Sequence, residues 1–302
     1  MFNRIVSVDA INLSEEALNE IKKCSKRPTK FYDTDPKNVN EMIKRVGNAD
    51  CVLISWRTKL GKEIFETCKN IKYIGLCATS FANIAVDEAR KRKIVISNVV
   101  DYGDEATAEY IFAQLLSLFR GLGEYQWKKA PCELFGKNLG IIGLGAVGKQ
   151  VARLGLGFGM NVAYHSRTRR PEFEKKGLKF MSLHDMIRNS DIISLHVPKD
   201  TTIFSRKEFD IIPKNTILVN SCLGKVFDEE DFAEWIKKGD NFAVFDYSVD
   251  TEYYNRLKNM KNVIFPKIIA GKTMESKQRL SMKVVENIKS FLDNKPTNVV
   301  RS

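Results

Sequence analysis

The chain has 302 residues, 43% of them hydrophobic and 28% charged, with a formal net charge of +12. That describes a folded globular protein with enough residues for two hydrophobic cores, and no apolar run reaches the roughly 18 residues that a membrane span needs. Its 49 Lys and Arg residues are spread along the chain rather than gathered into an aromatic-studded strip, so they read as solvated helix faces and nucleic acid is not an expected partner.

In chain order, the first third alternates short apolar runs with amphipathic stretches. The runs predict strands over 5–8, 51–55, 71–76 and 94–96. The opening run lacks an apolar core followed by a small-residue cleavage site, so no secretory leader is read there and a cytoplasmic protein is expected. Residues 104–121 predict one long helix: Asp104 and Glu105 open it, Arg120 closes it and Gly121 stops it. Six further strands are predicted near 139–142, 161–165, 191–196, 215–220, 241–246 and 262–266, with a final helix from about Thr273 to Phe291 that returns to the first domain. This βαβ rhythm predicts parallel sheets covered by helices. The six cysteines form no CxxC pair and read as reduced thiols. The three histidines build no cluster at metal-ligand spacing, so no metal is expected.

The most informative segment follows the strand at Leu139–Ile142. Gly143-Leu144-Gly145-Ala146-Val147-Gly148 has the GxGxxG spacing and leads directly into a helix. Gly143 permits a tight turn, Gly145 lets backbone approach a pyrophosphate, and Gly148 lets the helix pack against the strand. The phosphates then meet the positive end of the helix, where Ala146 and Val147 supply backbone N–H groups. A GxGxxG alone is weak; between a strand and a helix, with a second strand at 161–165, it identifies a dinucleotide-binding Rossmann unit.

The end of that second strand reports the cofactor. A binder of NAD usually places Asp or Glu there to hold the ribose 2′-hydroxyl. Here the residues are Ser166, Arg167, Thr168, Arg169 and Arg170. Hydroxyls and guanidinium forks suit a 2′-phosphate, so NADP(H) is the preferred cofactor, with NAD(H) possible.

Several landmarks resemble the D-isomer-specific 2-hydroxyacid dehydrogenases. They are Glu133-Leu134-Phe135-Gly136-Lys137-Asn138 leading into the glycine turn, Asp191 to Pro198, Leu218 to Asp228, and Asn83-Ile84 with Ala89-Arg90-Lys91-Arg92. The resemblance runs over almost the whole chain. It implies an α/β fold of two Rossmann-like, doubly wound parallel-sheet domains with a cleft between them. A discontinuous substrate domain of flavodoxin-like form would comprise 1–100 and 272–302, and the dinucleotide domain 101–271. It further implies a homodimer joined through the dinucleotide domains, His196, Val197 and Pro198 walling the adenine, Cys222 and Asp246 beside the nicotinamide, and a substrate loop containing Thr79 and Ser80.

The resemblance fails at the reacting groups. The family uses an Arg that clamps the substrate carboxylate, a His that passes the proton, and a Glu that orients the His. Leu223 stands where the Arg belongs, before Gly224; Thr251 stands where the Glu belongs, with Glu252 adjacent; Lys267 follows Pro266 where the His belongs, and no His occurs after His196. Two readings stay open. In one, the protein is an NAD(P)-dependent oxidoreductase acting on a small carbonyl or hydroxy compound, with Lys267 as proton donor and Lys225 facing the substrate's negative charge. In the other, it is a catalytically silent dinucleotide-binding sensor or regulator.

Overall fold

The computed structural model describes residues 1–302 apart from 239, 247–255, 258, 267 and 302. By its internal packing the chain divides into two units, Met1–Tyr102 with Met274–Ser302, and Gly103–Thr273. The boundaries fall two residues beyond those expected from the sequence.

In the first unit, β1 (Ile5–Ser7), β2 (Cys51–Ile54), β3 (Tyr73–Leu76) and β4 (Val95–Ser97) form a parallel sheet in the order β1-β2-β3-β4. Alternate residues point to opposite faces of a strand, and both faces here are covered. Val6, Val52, Ile54, Ile74 and Ile96 join one core; Ile5, Cys51, Leu53 and Tyr73 join the other. The final helix, Met274–Leu292, lays Val284, Val285 and Ile288 into that second core. The last helix thus belongs to the first unit.

In the second unit, seven strands lie in one parallel sheet among the described residues: β5 (Asn138–Ile142), β6 (Asn161–His165), β7 (Lys179–Phe180), β8 (Ile192–Leu195), β9 (Ile217–Asn220), β10 (Phe242–Phe245) and β11 (Val263–Ile264). Their order is β11-β10-β9-β8-β5-β6-β7. The chain therefore starts at β5, moves outward to β7, then crosses back to β8 on the other side. The crevice outside the carboxyl ends of β5 and β8 is the switch point where open α/β sheets bind ligands. Alternation again divides the sheet between two cores: Leu139, Ile141, Ile192, Val219 and Val244 on one face, Ile142, Ile193, Leu195, Leu218 and Phe245 on the other.

The long predicted helix is present as Asp104–Arg120, and Gly121 ends it in the left-handed conformation at φ 64°. Its buried residues include Ala108, Ile111, Phe112, Leu115 and Phe119, all in the first of the two sheet-covering cores. The expected strands near 71–76 and 262–266 are shorter, Tyr73–Leu76 and Val263–Ile264. β7 was not predicted, because its two residues are both exposed and carry no alternation.

Candidate functional site

The glycine turn is built as its spacing demands. Gly143 lies at φ 93°, where L side chains are strained, and a Cβ there would stand 2.1 Å from the carbonyl oxygen of His196. That close approach locks the carboxyl end of β5 against that of β8. Gly148 is buried, and its Cβ would stand 2.1 Å from the carbonyl oxygen of Gly143, so helix and turn meet backbone to backbone. A Cβ at Gly145 would meet nothing within 4 Å. Gly145 is also the N-cap of helix Ala146–Gly157; no side chain caps that helix and no acidic residue stands in its first turn. Exposed Gly145 and Ala146, with half-buried Val147, thus border open space beside uncapped N–H groups, a cradle that fits a pyrophosphate.

Around this turn the sheet gathers the other candidates of the second unit. The backbone N–H of Gly143 donates to His165 O at 2.8 Å, tying the turn to the end of β6 and so to Ser166, Arg167 and Thr168. The hydroxyl of Ser166 folds back to donate to Thr168 O. Arg167 and Thr168 are exposed, and no hydrogen bond or ion pair engages the Arg167 side chain among the described residues. On the other side, Val197 N–H donates to Cys222 Sγ at 3.2 Å, which joins the ends of β8 and β9; Pro198 follows, exposed. Cys222 is 6% exposed, and its thiol donates to Leu195 O at 3.1 Å. Burial pushes that thiol up to about 12, so it packs as a protonated group and is no nucleophile near neutral pH.

Asp246, at the carboxyl end of β10, is 4% exposed. Its N–H donates to Asn220 O at 3.2 Å, and its Oδ1 accepts from Ala270 N at 3.1 Å. The carboxylate therefore anchors the segment after β11. Tyr110, from the long helix, donates to Phe245 O at 2.8 Å, and burial followed by the nearby Asp246 charge raises its phenol above the ordinary tyrosine range. Neither contact has a signature in the local sequence.

His196 sits between two hydroxyls, with Nε2 2.8 Å from Ser194 Oγ and Nδ1 3.5 Å from Ser221 Oγ. Part of the residue reaches the surface, but desolvation of the ring lowers its pKa from 6.5 to about 3. The imidazole is neutral at physiological pH. Because the folded value lies below the unfolded one, this site costs no stability above about pH 6.5 and destabilises as pH falls from there toward 3. The slope is at most about 1.4 kcal/mol per pH unit, the uptake of one proton on unfolding. His196→Asn is expected to lose less stability than the parent between about pH 6.5 and pH 5 in denaturant melts; parallel losses would show that His196 is not the acid-sensitive group.

The residues at the family's reacting positions differ in character. Leu223 is 40% exposed, and Gly224, at φ 73°, is clasped by Asp200, whose Oδ1 accepts from Lys225 N at 3.1 Å. Lys225 Nζ lies 3.8 Å from Asp228 Oδ2 with about half its side chain exposed, a pair too solvated to hold it firmly. Lys267, Thr251 and Glu252 lie outside the described residues. In the first unit, the Thr79 hydroxyl donates to Val99 O at 2.9 Å and Thr79 O accepts from Asn98 Nδ2 at 2.7 Å, while Ser80 is half-buried.

Residues 113–267 match the model of the D-isomer specific 2-hydroxyacid dehydrogenase NAD binding domain. A glyoxylate reductase of Thermococcus litoralis is 32% identical, the alignment covering 90% of this chain and 91% of that protein. A hydroxypyruvate reductase of Blautia hydrogenotrophica is 29% identical over 89% and 90%. Among solved structures, an acyclic imino acid reductase (Bsp5) in complex with NADPH and D-Arg superposes with a TM-score of 0.85 at 27% identity, covering 99% of this chain and 100% of that one.

Proposed function

The chain belongs to the D-isomer-specific 2-hydroxyacid dehydrogenase family, and from that membership we propose that it is an NADP(H)-dependent oxidoreductase acting on a small 2-oxo or 2-hydroxy acid or the corresponding imine. The observation that carries the reading is the phosphate cradle at Gly143, Gly145 and Gly148, tied by the 2.8 Å bond from Gly143 N to His165 O to the strand end that precedes Arg167. The cofactor supplies the hydride. The residues of this chain bind it, orient it and keep water from it: Ala146 and Val147 offer N–H groups to the pyrophosphate, Ser166, Arg167 and Thr168 take the ribose phosphate, His196, Val197 and Pro198 wall the adenine, and Cys222 and Asp246 border the nicotinamide. NADP(H) is favoured over NAD(H) because the sequence has no Asp or Glu at the end of β6 and Arg167 has no protein partner among the described residues.

One feature favours an imine beside the ordinary carbonyl: the imino acid reductase shares the fold over the full length of both chains. In this proposal Lys225 faces the substrate's negative charge, Lys267 holds the proton delivered to the carbonyl oxygen or imine nitrogen as the hydride reaches the carbon, and Thr79 and Ser80 contact the substrate. Lys267→Ala is expected to lower kcat by about 10²- to 10⁴-fold with cofactor affinity little altered, and Lys225→Ala to act mainly on KM. Unchanged kcat in the first variant would remove Lys267 from the proton path. A homodimer joined through the dinucleotide units completes the proposal: Leu122 and Phe135, 77% and 73% exposed, would be covered by such an interface. Sedimentation at monomer mass would count against it.

A further inference from the structure

The loop after β6 holds three arginines, and Arg169 is set apart from the others by its partner. Arg169 is committed to Glu174 by two parallel bonds, Nε to Oε1 at 2.8 Å and Nη2 to Oε2 at 2.6 Å. Its guanidinium also lies 5.4 Å from the centroid of the Phe180 ring on β7. β7 is the edge strand beyond β6, whereas the glycine turn follows β5 on the opposite side of β6. Arg169 therefore leans away from the phosphate cradle.

Its partner is itself anchored. Tyr164 is fully buried, and its hydroxyl donates to Glu174 Oε1 at 2.9 Å while accepting from Arg170 N at 2.6 Å. One phenol thus fixes both the loop backbone and the carboxylate. The Arg169 guanidinium holds the Glu174 carboxyl below the usual carboxylate range, so it stays ionised at neutral pH. An exposed ion pair alone is weak, but a bidentate fork on a partner fixed by a buried hydroxyl has most of its ordering already in place.

We propose that Glu174 is a specificity-determining residue that sequesters Arg169 over β7, leaves Arg167 available to a ribose phosphate, and thereby limits the preference for NADPH over NADH. The inference rests on the reading of Arg167 as the phosphate ligand. Glu174 stands eight positions after Ser166, so the sequence near the strand end, which shows no carboxylate, does not reveal it.

The test is a set of equilibrium titrations of NADPH and NADH, followed by nicotinamide fluorescence, on the parent, Arg167→Ala, Arg169→Ala, Glu174→Gln and the Glu174→Gln/Arg169→Ala double variant, each checked for an unaltered thermal midpoint. Glu174→Gln keeps the side-chain size and the acceptor for Tyr164. It is expected to raise the ratio of NADH to NADPH dissociation constants by about threefold or more, because the freed Arg169 adds a charge-assisted contact. Arg169→Ala is expected to leave the ratio within about twofold, and the double variant to return to the parent value, which separates release of Arg169 from a general change in charge. An unchanged ratio in Glu174→Gln, or a collapse in Arg169→Ala equal to that in Arg167→Ala, would overturn the proposal. If the parent shows no preference and Arg167→Ala alters nothing, the NADP(H) reading itself fails and the role of Glu174 falls with it.

Discussion

Arg167→Ala is expected to weaken NADPH binding by about one to two orders of magnitude and to leave NADH binding within about twofold. A charge-assisted hydrogen bond contributes about 1.5–3 kcal/mol, which sets that range. The selectivity of the effect matters more than its size. Arg167 is exposed at the end of β6, where the 2.8 Å bond from Gly143 N to His165 O fixes the strand end beside the phosphate turn. A side chain there reaches the ribose of either cofactor, but its charge has a counterpart only when the ribose carries a phosphate. Equal losses for the two cofactors would mean that Arg167 acts on the pyrophosphate or on the loop conformation, and the 2′-phosphate assignment would be withdrawn.

The second large effect separates two glycines three residues apart. Gly148→Ala places a methyl group 2.1 Å from the carbonyl oxygen of Gly143 and 3.4 Å from Ile141 Cγ2. The first contact is with backbone, which cannot swing aside, so helix and turn must separate. The expected result is a loss of about 1–3 kcal/mol of stability with weakened binding of both cofactors by at least about tenfold. Gly145→Ala meets no protein atom within 4 Å. It is expected to melt like the parent and still bind both cofactors poorly, since its methyl group would fill the space where the pyrophosphate approaches. Intact binding in Gly145→Ala would place the phosphates elsewhere.

Much of this was legible in the sequence, for physical reasons that differ between elements. The strand at Asn138–Ile142, the turn and the helix after it announce themselves because each glycine answers a local steric demand. Helix Asp104–Arg120 is legible because charge at both ends, and a glycine that later proves left-handed, bound an apolar run. β7 was invisible because two exposed residues carry no period, and Glu174 because its meaning depends on a tyrosine ten positions back and a phenylalanine on another strand. The same holds for Asp200, which clasps Gly224 from a different loop. At the reacting positions, sequence comparison with the family exposed what is missing, Arg before Gly224 and His after Pro266, more readily than what replaces it. An apolar Leu223 states a loss, whereas Lys225 pairs at 3.8 Å with Asp228 on exposed surface, a contact that its local sequence does not announce.

The neutral, desolvated His196 and the protonated Cys222 line the same edge without offering acid or nucleophile near neutral pH.

The most direct test of the account is the consumption of NADPH by the purified protein with glyoxylate, hydroxypyruvate and other small 2-oxo acids, each alone and with ammonium or a primary amine present to form the imine. NADPH oxidation is expected, with an equal amount of hydroxy or amino acid formed and slower turnover with NADH. Tight binding of NADPH with no hydride transferred to any carbonyl or imine in the series would contradict it.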